Sequence, residues 1–242
     1  VSRESFANNN YIFLNGNQIG VLLFDYITKQ RKAAGSLPEH GVLIKTIVTT
    51  DLLAKIAKAN DLDVITDLPV GFKYITNAMD TRLAGREFVF GTEESHGYLY
   101  GDYCRDKDGA IAALLICEYA ALLKKQGRTL FEQLEFIKKE YGYFREILQA
   151  IYFSGMDGMD KMLKIMAELR ADLPKEIGGL KVEEVFDQSK PYGGFPDNAL
   201  VFYLNAKKTI RVVARPSGTE PKIKFYAAVG KPVGLDKSEA EY

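Results

Sequence analysis

Apolar and polar positions change period several times along the first half of the chain. "YIFL" (11–14) reads as a short strand, "NGN" as a turn, and "QIGVLLFDYITKQRK" (18–32) as a helix with apolar residues at helical spacing. "AAGSLPEHG" follows as a loop, and "VLIKTIVTT" (42–50) is β-branched and strand-like, with Asp51 placed to N-cap the helix "LLAKIAKA". Strand "DVITDL", helix "FKYITNAM" and strand "EFVFG" continue the rhythm, and helices are predicted over 109–126 and 129–142. Strands alternating with helices predict an α/β domain, a mixed sheet covered by helices, with ligands at the carboxyl ends of the strands.

The pattern then changes. "REILQAIYF" reads as a strand, "GMDKMLKIMAELR" as a helix with Met and Leu at core spacing, and "LKVEEVFD" as a short strand. After the turn-rich "QSKPYGGFPDN" come the strand-like runs "ALVFYLN", "TIRVVAR" and "KIKFYAAV", with "NAKK" as a hairpin turn between the first two. This predicts a small α+β domain with an antiparallel sheet and flanking helices, and a division into domains 1–146 and 147–242.

Composition narrows the function classes. The 242 residues are 47% hydrophobic, enough for a real core, and 32 basic residues balance 32 acidic ones. The whole chain therefore offers no electrostatic case for a nucleic-acid or membrane partner. Its longest apolar run, Ala110 to Leu123, is broken by Glu118 and is shorter than the roughly 20 residues a bilayer span needs. Cys104 and Cys117 fit no metal or redox spacing, so a cytoplasmic protein is expected. The chain opens on Val-Ser-Arg-Glu without an initiator Met, which reads as a piece of a larger protein.

Two stretches carry candidate chemistry. "GTEESHGYLYGDYCRDKDG" (91–109) begins where a predicted strand ends and runs into a helix. If the backbone stays extended through "EES", Glu93 and Ser95 point to one side, an acceptor beside a hydroxyl, suited to two neighbouring sugar hydroxyls. A solvated acidic loop is the alternative. Arg105 and Lys107 suit an anionic substrate, or are simply solvated beside Asp108, which is placed to cap the helix.

The second stretch is "RPSGTEPK" (215–222). From Asn205 to Lys231 there are seven Lys or Arg (207, 208, 211, 215, 222, 224 and 231) against one acid, Glu220. A left-handed Gly218 would let backbone N–H groups converge beside the Ser217 and Thr219 hydroxyls, with Arg215 as a bidentate fork and Lys222 nearby, a set fit for a phosphate ester. An ordinary hairpin loop with solvated lysines is the alternative.

"GTEESHG", "RDKDG" and "RPSGTEPKIKFY", in that order and spacing, resemble the third and fourth domains of the α-D-phosphohexomutase superfamily, the phosphoglucomutases and phosphomannomutases. The likeness covers essentially the whole chain, beginning with "LNGNQIGVLLFDY". It implies that the parent interconverts hexose 1-phosphate and hexose 6-phosphate through a hexose 1,6-bisphosphate, using a phosphoserine and Mg2+ held by the first two domains. Neither an "SHNP"-like serine motif nor a "DGDGDR"-like loop occurs here, so the resemblance implies the substrate-recognition half, without catalytic or metal residues and inactive alone. It implies that Glu93 and Ser95 contact the sugar's 3- and 4-hydroxyls. Arg215, Ser217, Gly218 and Thr219 would hold the non-transferring phosphate. "VGFKY" (70–74) matches the family's "TGFK" with Val in the Thr place, which makes Lys73 a substrate contact. "GTEES" departs from the "GEES" of many members, and His96 is given no role. The implied partners are a phosphosugar and the missing N-terminal half of the polypeptide. A stand-alone, non-catalytic phosphosugar-binding module is the alternative. Nucleic-acid binding by the basic hairpin is the weaker third reading.

Overall fold

The computed structural model describes residues 11–189 and 197–231. The opening of the chain, part of the turn-rich stretch 188–198, and residues 235–242, whose "LDKSEAEY" reads as the start of a helix, lie outside them. The chain divides between Tyr143 and Phe144 into two compact units.

The first unit holds a sheet in the order β2-β1-β3-β4: β1 (Val42–Thr46) pairs in parallel with β2 (Asp63–Leu68) and β3 (Phe88–Glu93), and β4 (Gly97–Leu99) returns antiparallel to β3. β1 and β3 are buried along their whole lengths, as strands covered on both faces must be. α1 (Gly16–Ala33) and α3 (Phe72–Thr81) lie on opposite faces. The side of Gly91 meets Ile75 of α3, and Thr92, one residue on, meets Gly20 of α1.

α1 is the buried centre of this unit. Its start is fixed by a reciprocal capping box, with Asn15 Oδ1 accepting from Gln18 N–H at 3.0 Å and Gln18 Oε1 accepting from Asn15 N–H at 2.9 Å. Phe24 stacks on Phe90 of β3 with centroids 5.9 Å apart. On its outer side, α1 buries Asp25 completely. The Asp25 carboxyl group accepts from Lys29 of its own helix, from the Tyr119 hydroxyl of α4 (Gly109–Lys125) at 2.7 Å, and from Gln133 Nε2 of α5 (Leu130–Tyr141) at 3.1 Å. One polar group thus ties three helices together. All three bonds end on Oδ2, while Oδ1 makes no hydrogen bond and lies 2.8 Å from the Lys29 ammonium, whose charge offsets its burial. Among the described residues, no helix is long and apolar enough to cross a membrane.

The second unit is a five-stranded antiparallel sheet, β5-β11-β10-β9-β8, of β5 (Phe144–Tyr152), β8 (Glu184–Asp187), β9 (Leu200–Tyr203), β10 (Ile210–Pro216) and β11 (Lys222–Gly230). β6 (Glu176–Ile177) and β7 (Leu180–Lys181) form a separate small hairpin. α6 (Gly158–Ala171) covers one face, and its Met162 and Met166 enter a core with Leu200, Phe202, Ala214 and Ile223. The methionines at helical spacing are packing residues.

The architecture is the expected one, an α/β unit followed by a smaller α+β unit. Local expectations differ in five places. Residues 11–14 form no strand: Tyr11, Ile12 and Phe13 are largely exposed and no described strand lies beside them, so β propensity has no ladder to act on. β1 stops at Thr46, because Thr46 and Thr49 close a turn through their hydroxyls at 2.7 Å. Asp51 stands at the N-cap of α2 (Leu52–Ala59) but makes no capping bond, since its carboxylate pairs instead with buried Lys45 at 2.9 Å. "LKVEEVFD" is divided between β7 and β8. The expected division between 146 and 147 falls inside β5.

Replacing Tyr119 by Phe keeps its ring, stacked on Tyr26 at 4.6 Å, and removes one donor to buried Asp25. Tyr119→Phe is expected to lower stability by about 1–3 kcal/mol in urea unfolding. An unchanged midpoint would mean that the three-helix tie carries no weight.

Candidate functional site

In the first unit, the parallel strands bring three connections to one edge. These are the turn after β1 (47–51), the loop after β2 (69–71) and the turn after β3 (94–96). Glu93, the last residue of β3, is 5% exposed, and its Oε1 accepts the Gly71 N–H at 2.7 Å. That bond joins the β3 end to the loop that starts α3. Gly71 has φ 139°, a conformation open to glycine and strained for other residues.

The backbone does not stay extended through "EES". Glu93 pairs with Gly97 across the β3–β4 hairpin, and Glu94, Ser95 and His96 form its turn, with His96 left-handed at φ 64°. Glu93 and Ser95 therefore do not share a side by strand alternation: Glu93 is buried in the sheet end, and Ser95 is exposed on the turn. The turn rests on the start of α1. A Cβ on Gly16 would stand 2.0 Å from the Glu94 carbonyl oxygen and 2.9 Å from the His96 nitrogen, a space that only glycine leaves. Tyr98 closes the same contact by donating from its hydroxyl to the Gly16 carbonyl at 2.8 Å.

Two of the expected basic contacts gather at this edge. Lys73 is exposed in the first turn of α3, with Nζ 4.9 Å from the Tyr74 ring centre. Lys107 Nζ lies 5.9 Å from the ring centre of Phe72, whose edge approaches Gly97, and pairs with Asp106 at 3.3 Å. Arg105 does not join them. It binds Asp80 at 2.9 Å, at the far end of α3, and lines a cavity of about 510 Å3 with Arg31, Arg86 and Phe88, at the opposite end of β3 from Glu93. Asp108 caps α4 through the N–H groups of Ala110 and Ile111; the Tyr103 hydroxyl, first, and these amides hold its carboxyl below the usual range.

Lys45 and the threonines around it went unread in the sequence. Lys45 is 1% exposed, and its ammonium donates to Thr49 O at 2.9 Å while pairing with Asp51, which fixes the turn after β1. Thr50 N–H donates to Asn17 Oδ1 at 3.0 Å, so this turn too is tied to the start of α1. A lysine inside an apolar strand signals a buried partner, but the sequence alone does not say which acid supplies it.

In the second unit, the stretch 217–221 joins β10 to β11. Ser217 N–H donates to Lys222 O at 2.8 Å, and Ser217 Oγ accepts from the N–H groups of Thr219 at 3.4 Å and Glu220 at 3.3 Å. Gly218 is not left-handed, contrary to expectation, because the hydroxyl of Ser217 turns the chain instead. A Cβ on Gly218 would meet nothing within 4 Å. Arg215 Nε donates to Asp197 at 3.0 Å, and Lys222 pairs with Glu220, which raises the Lys222 pKa. The dense basic count along the chain is diluted in space, since Lys208 also pairs with Glu184 at 2.8 Å and Arg211 is buried.

The family model for "Phosphoglucomutase/phosphomannomutase, alpha/beta/alpha domain III" matches residues 15–141. A phosphoglucomutase of Staphylococcus epidermidis is 34% identical over 242 residues, and one of Staphylococcus aureus 34% over 238. These alignments cover 93% and 95% of this chain, which spans 42% of the length of each relative. Two solved structures share the fold. The phosphoglucomutase parafusin of Paramecium, in an open form, superposes with a TM-score of 0.64 at 18% identity, covering 95% of this chain and 39% of that one. A phosphoglucomutase/phosphomannomutase family protein of Burkholderia thailandensis gives 0.60 at 13%, covering 96% and 41%. The family model covers more than half of the chain and the relatives align along nearly all of it, so the chain belongs to the phosphoglucomutase/phosphomannomutase family of the α-D-phosphohexomutase superfamily.

Proposed function

We propose that this chain is the substrate-recognition half of a phosphohexomutase that interconverts hexose 1-phosphate and hexose 6-phosphate through a bisphosphate. The observation that carries this reading is the Glu93 carboxylate, buried at the end of β3 and fixed by Gly71 beside the exposed serine turn. A carboxylate already oriented by one backbone donor accepts a sugar hydroxyl with little reorganisation. Ser95 supplies a hydroxyl that can donate or accept beside it, and Lys73 and Lys107 place positive charge at the same edge.

The phosphate end falls to Arg215, Ser217, Gly218, Thr219 and Lys222. Asp197 orients the guanidinium through Nε, which leaves recognition to its terminal amino groups. The same carboxylate offsets part of the positive charge, so a bare anion binds weakly and needs the sugar contacts to be held well. Arg105, held at Asp80, is outside this set.

A mutase of this kind binds its intermediate in two orientations, and catalysis of phosphoryl transfer is largely positioning and charge stabilisation. Neighbouring hydroxyls read by Glu93 and Ser95, with a fixed phosphate, are handles that survive the reversal. Among the described residues, no three His, Cys, Asp or Glu side chains are grouped to hold a metal ion. The resemblance places the Mg2+ of the whole enzyme on a loop of another domain, and in this reading the residues here bind and orient the phosphosugar. In this reading the phosphoryl donor belongs to the remainder of the enzyme, and the isolated chain turns over nothing.

Ser95→Ala in the whole enzyme is expected to reduce kcat/KM about tenfold, the worth of one hydrogen bond at a desolvated site, with melting unchanged because Ser95 is exposed. Wild-type kinetics would return the turn to solvent. Gly218→Ala meets no steric obstacle in the fold, so its melting temperature should hold while phosphate binding to the isolated chain weakens, a methyl group now standing where an anion approaches the backbone. Equal phosphate affinity in the two proteins, by calorimetry, would make this stretch a plain hairpin connection.

A further inference from the structure

α4 is more apolar than the other described helices, yet buries only Ala112, Tyr119 and Leu123. Between Ala110 and Ala121 its exposed residues are Ala110, Ala113, Leu114, Cys117, Glu118 and Ala121, a face with one charge, and Leu114 is 63% exposed. That one charge is engaged, since Glu118 accepts a hydrogen bond from Tyr26 of α1. The neighbouring α5 shows what a solvent face looks like here, with Glu132, Lys139 and Glu140 exposed. A surface helix normally carries charge opposite its buried stripe, whereas one apolar all round is covered.

A second exposed apolar stretch belongs to the same end of the unit. Tyr11, Ile12 and Phe13 are 69%, 58% and 64% exposed and lead directly into α1. Tyr98 joins the starts of α1 and α4, its hydroxyl donating to Gly16 O at 2.8 Å and its carbonyl accepting the Asp108 N–H at 2.7 Å. The start of α1, into which this segment leads, therefore lies near the start of α4.

The matched family domain is the third, and the chain spans 42% of the length of its phosphoglucomutase relatives, so domains numbered one and two precede it in proteins of this family. We propose that the outer face of α4 is the surface on which the domain preceding the third docks in the longer protein. The small side chains of Ala110, Ala113, Cys117 and Ala121 let a partner element approach closely, and Leu114 is the projecting knob. The matching surface is apolar and uncharged. This proposal rests on family membership and stands apart from the sugar reading.

Cys117 reports on the face. In a Cys104→Ser background it is the sole thiol of the present chain, and its alkylation, followed by mass on the peptide that carries Cys117, is compared in the present chain and in the chain extended by the residues encoded ahead of it. Extension should slow alkylation by about tenfold or more, the protection expected when a site must open to react. Leu114→Asp should restore the fast rate in the extended protein while leaving the melting temperature of the short chain unchanged. Equal rates in short and extended proteins would overturn the proposal, as would a reading frame with no preceding domain. Protection that appears in the short chain as its concentration rises would assign the face to a second copy, and would also overturn it.

Discussion

The edge that carries the candidate site depends on a hydrogen bond from a backbone amide to a buried carboxylate. Glu93 takes the Gly71 N–H at 2.7 Å, which stops β3 and the β2–α3 loop from moving independently. A charged acceptor with one fixed donor at low exposure is worth more than a surface bond, and losing the donor would leave the acid buried with a partner missing. The neighbouring turn is held by absence of bulk: Gly16 gives the Glu94–His96 turn a backbone surface to lie on, and Tyr98 secures it. Lys45 and Asn17 tie the turn after β1 into the same assembly. Three connections from three strands thus become one preformed surface.

Much of the fold was legible because burial and period agree. β2 runs over the stretch expected of it, and α6 differs from expectation by one residue, with Met162 and Met166 in the core that their spacing indicated. Residues 11–14 have strand composition and no neighbouring strand, and no local pattern reveals a missing partner. Asp51 looks like a cap and serves a buried lysine, a choice made by a side chain six positions away on the sheet. The turn at Glu94–His96 was misread because alternation was extended past the end of its ladder.

The site was less legible than the fold for an electrostatic reason. Counting charges along residues 205–231 finds one acid, but folding brings Glu184 and Asp197 to Lys208 and Arg215. Local charge density in sequence therefore overstates the positive field at this loop. Arg105 shows the reverse error, since it is two residues from Lys107 in sequence yet is held at Asp80, away from the edge where Lys107 lies. The motifs located the loops, and the direction of each side chain came only with the packing around it.

In the proposed reading Glu93 and Ser95 take the sugar hydroxyls and residues 217–219 the phosphate, and amide shifts in the isolated chain separate the two. Titration with glucose 1-phosphate is predicted to move Gly71, Glu93 and Ser95 together with Ser217, Gly218 and Thr219, whereas inorganic phosphate moves only the second group. Shifts confined to 217–219 with both ligands, or absent from both loops, would mean that Glu93 and Ser95 do not read the sugar.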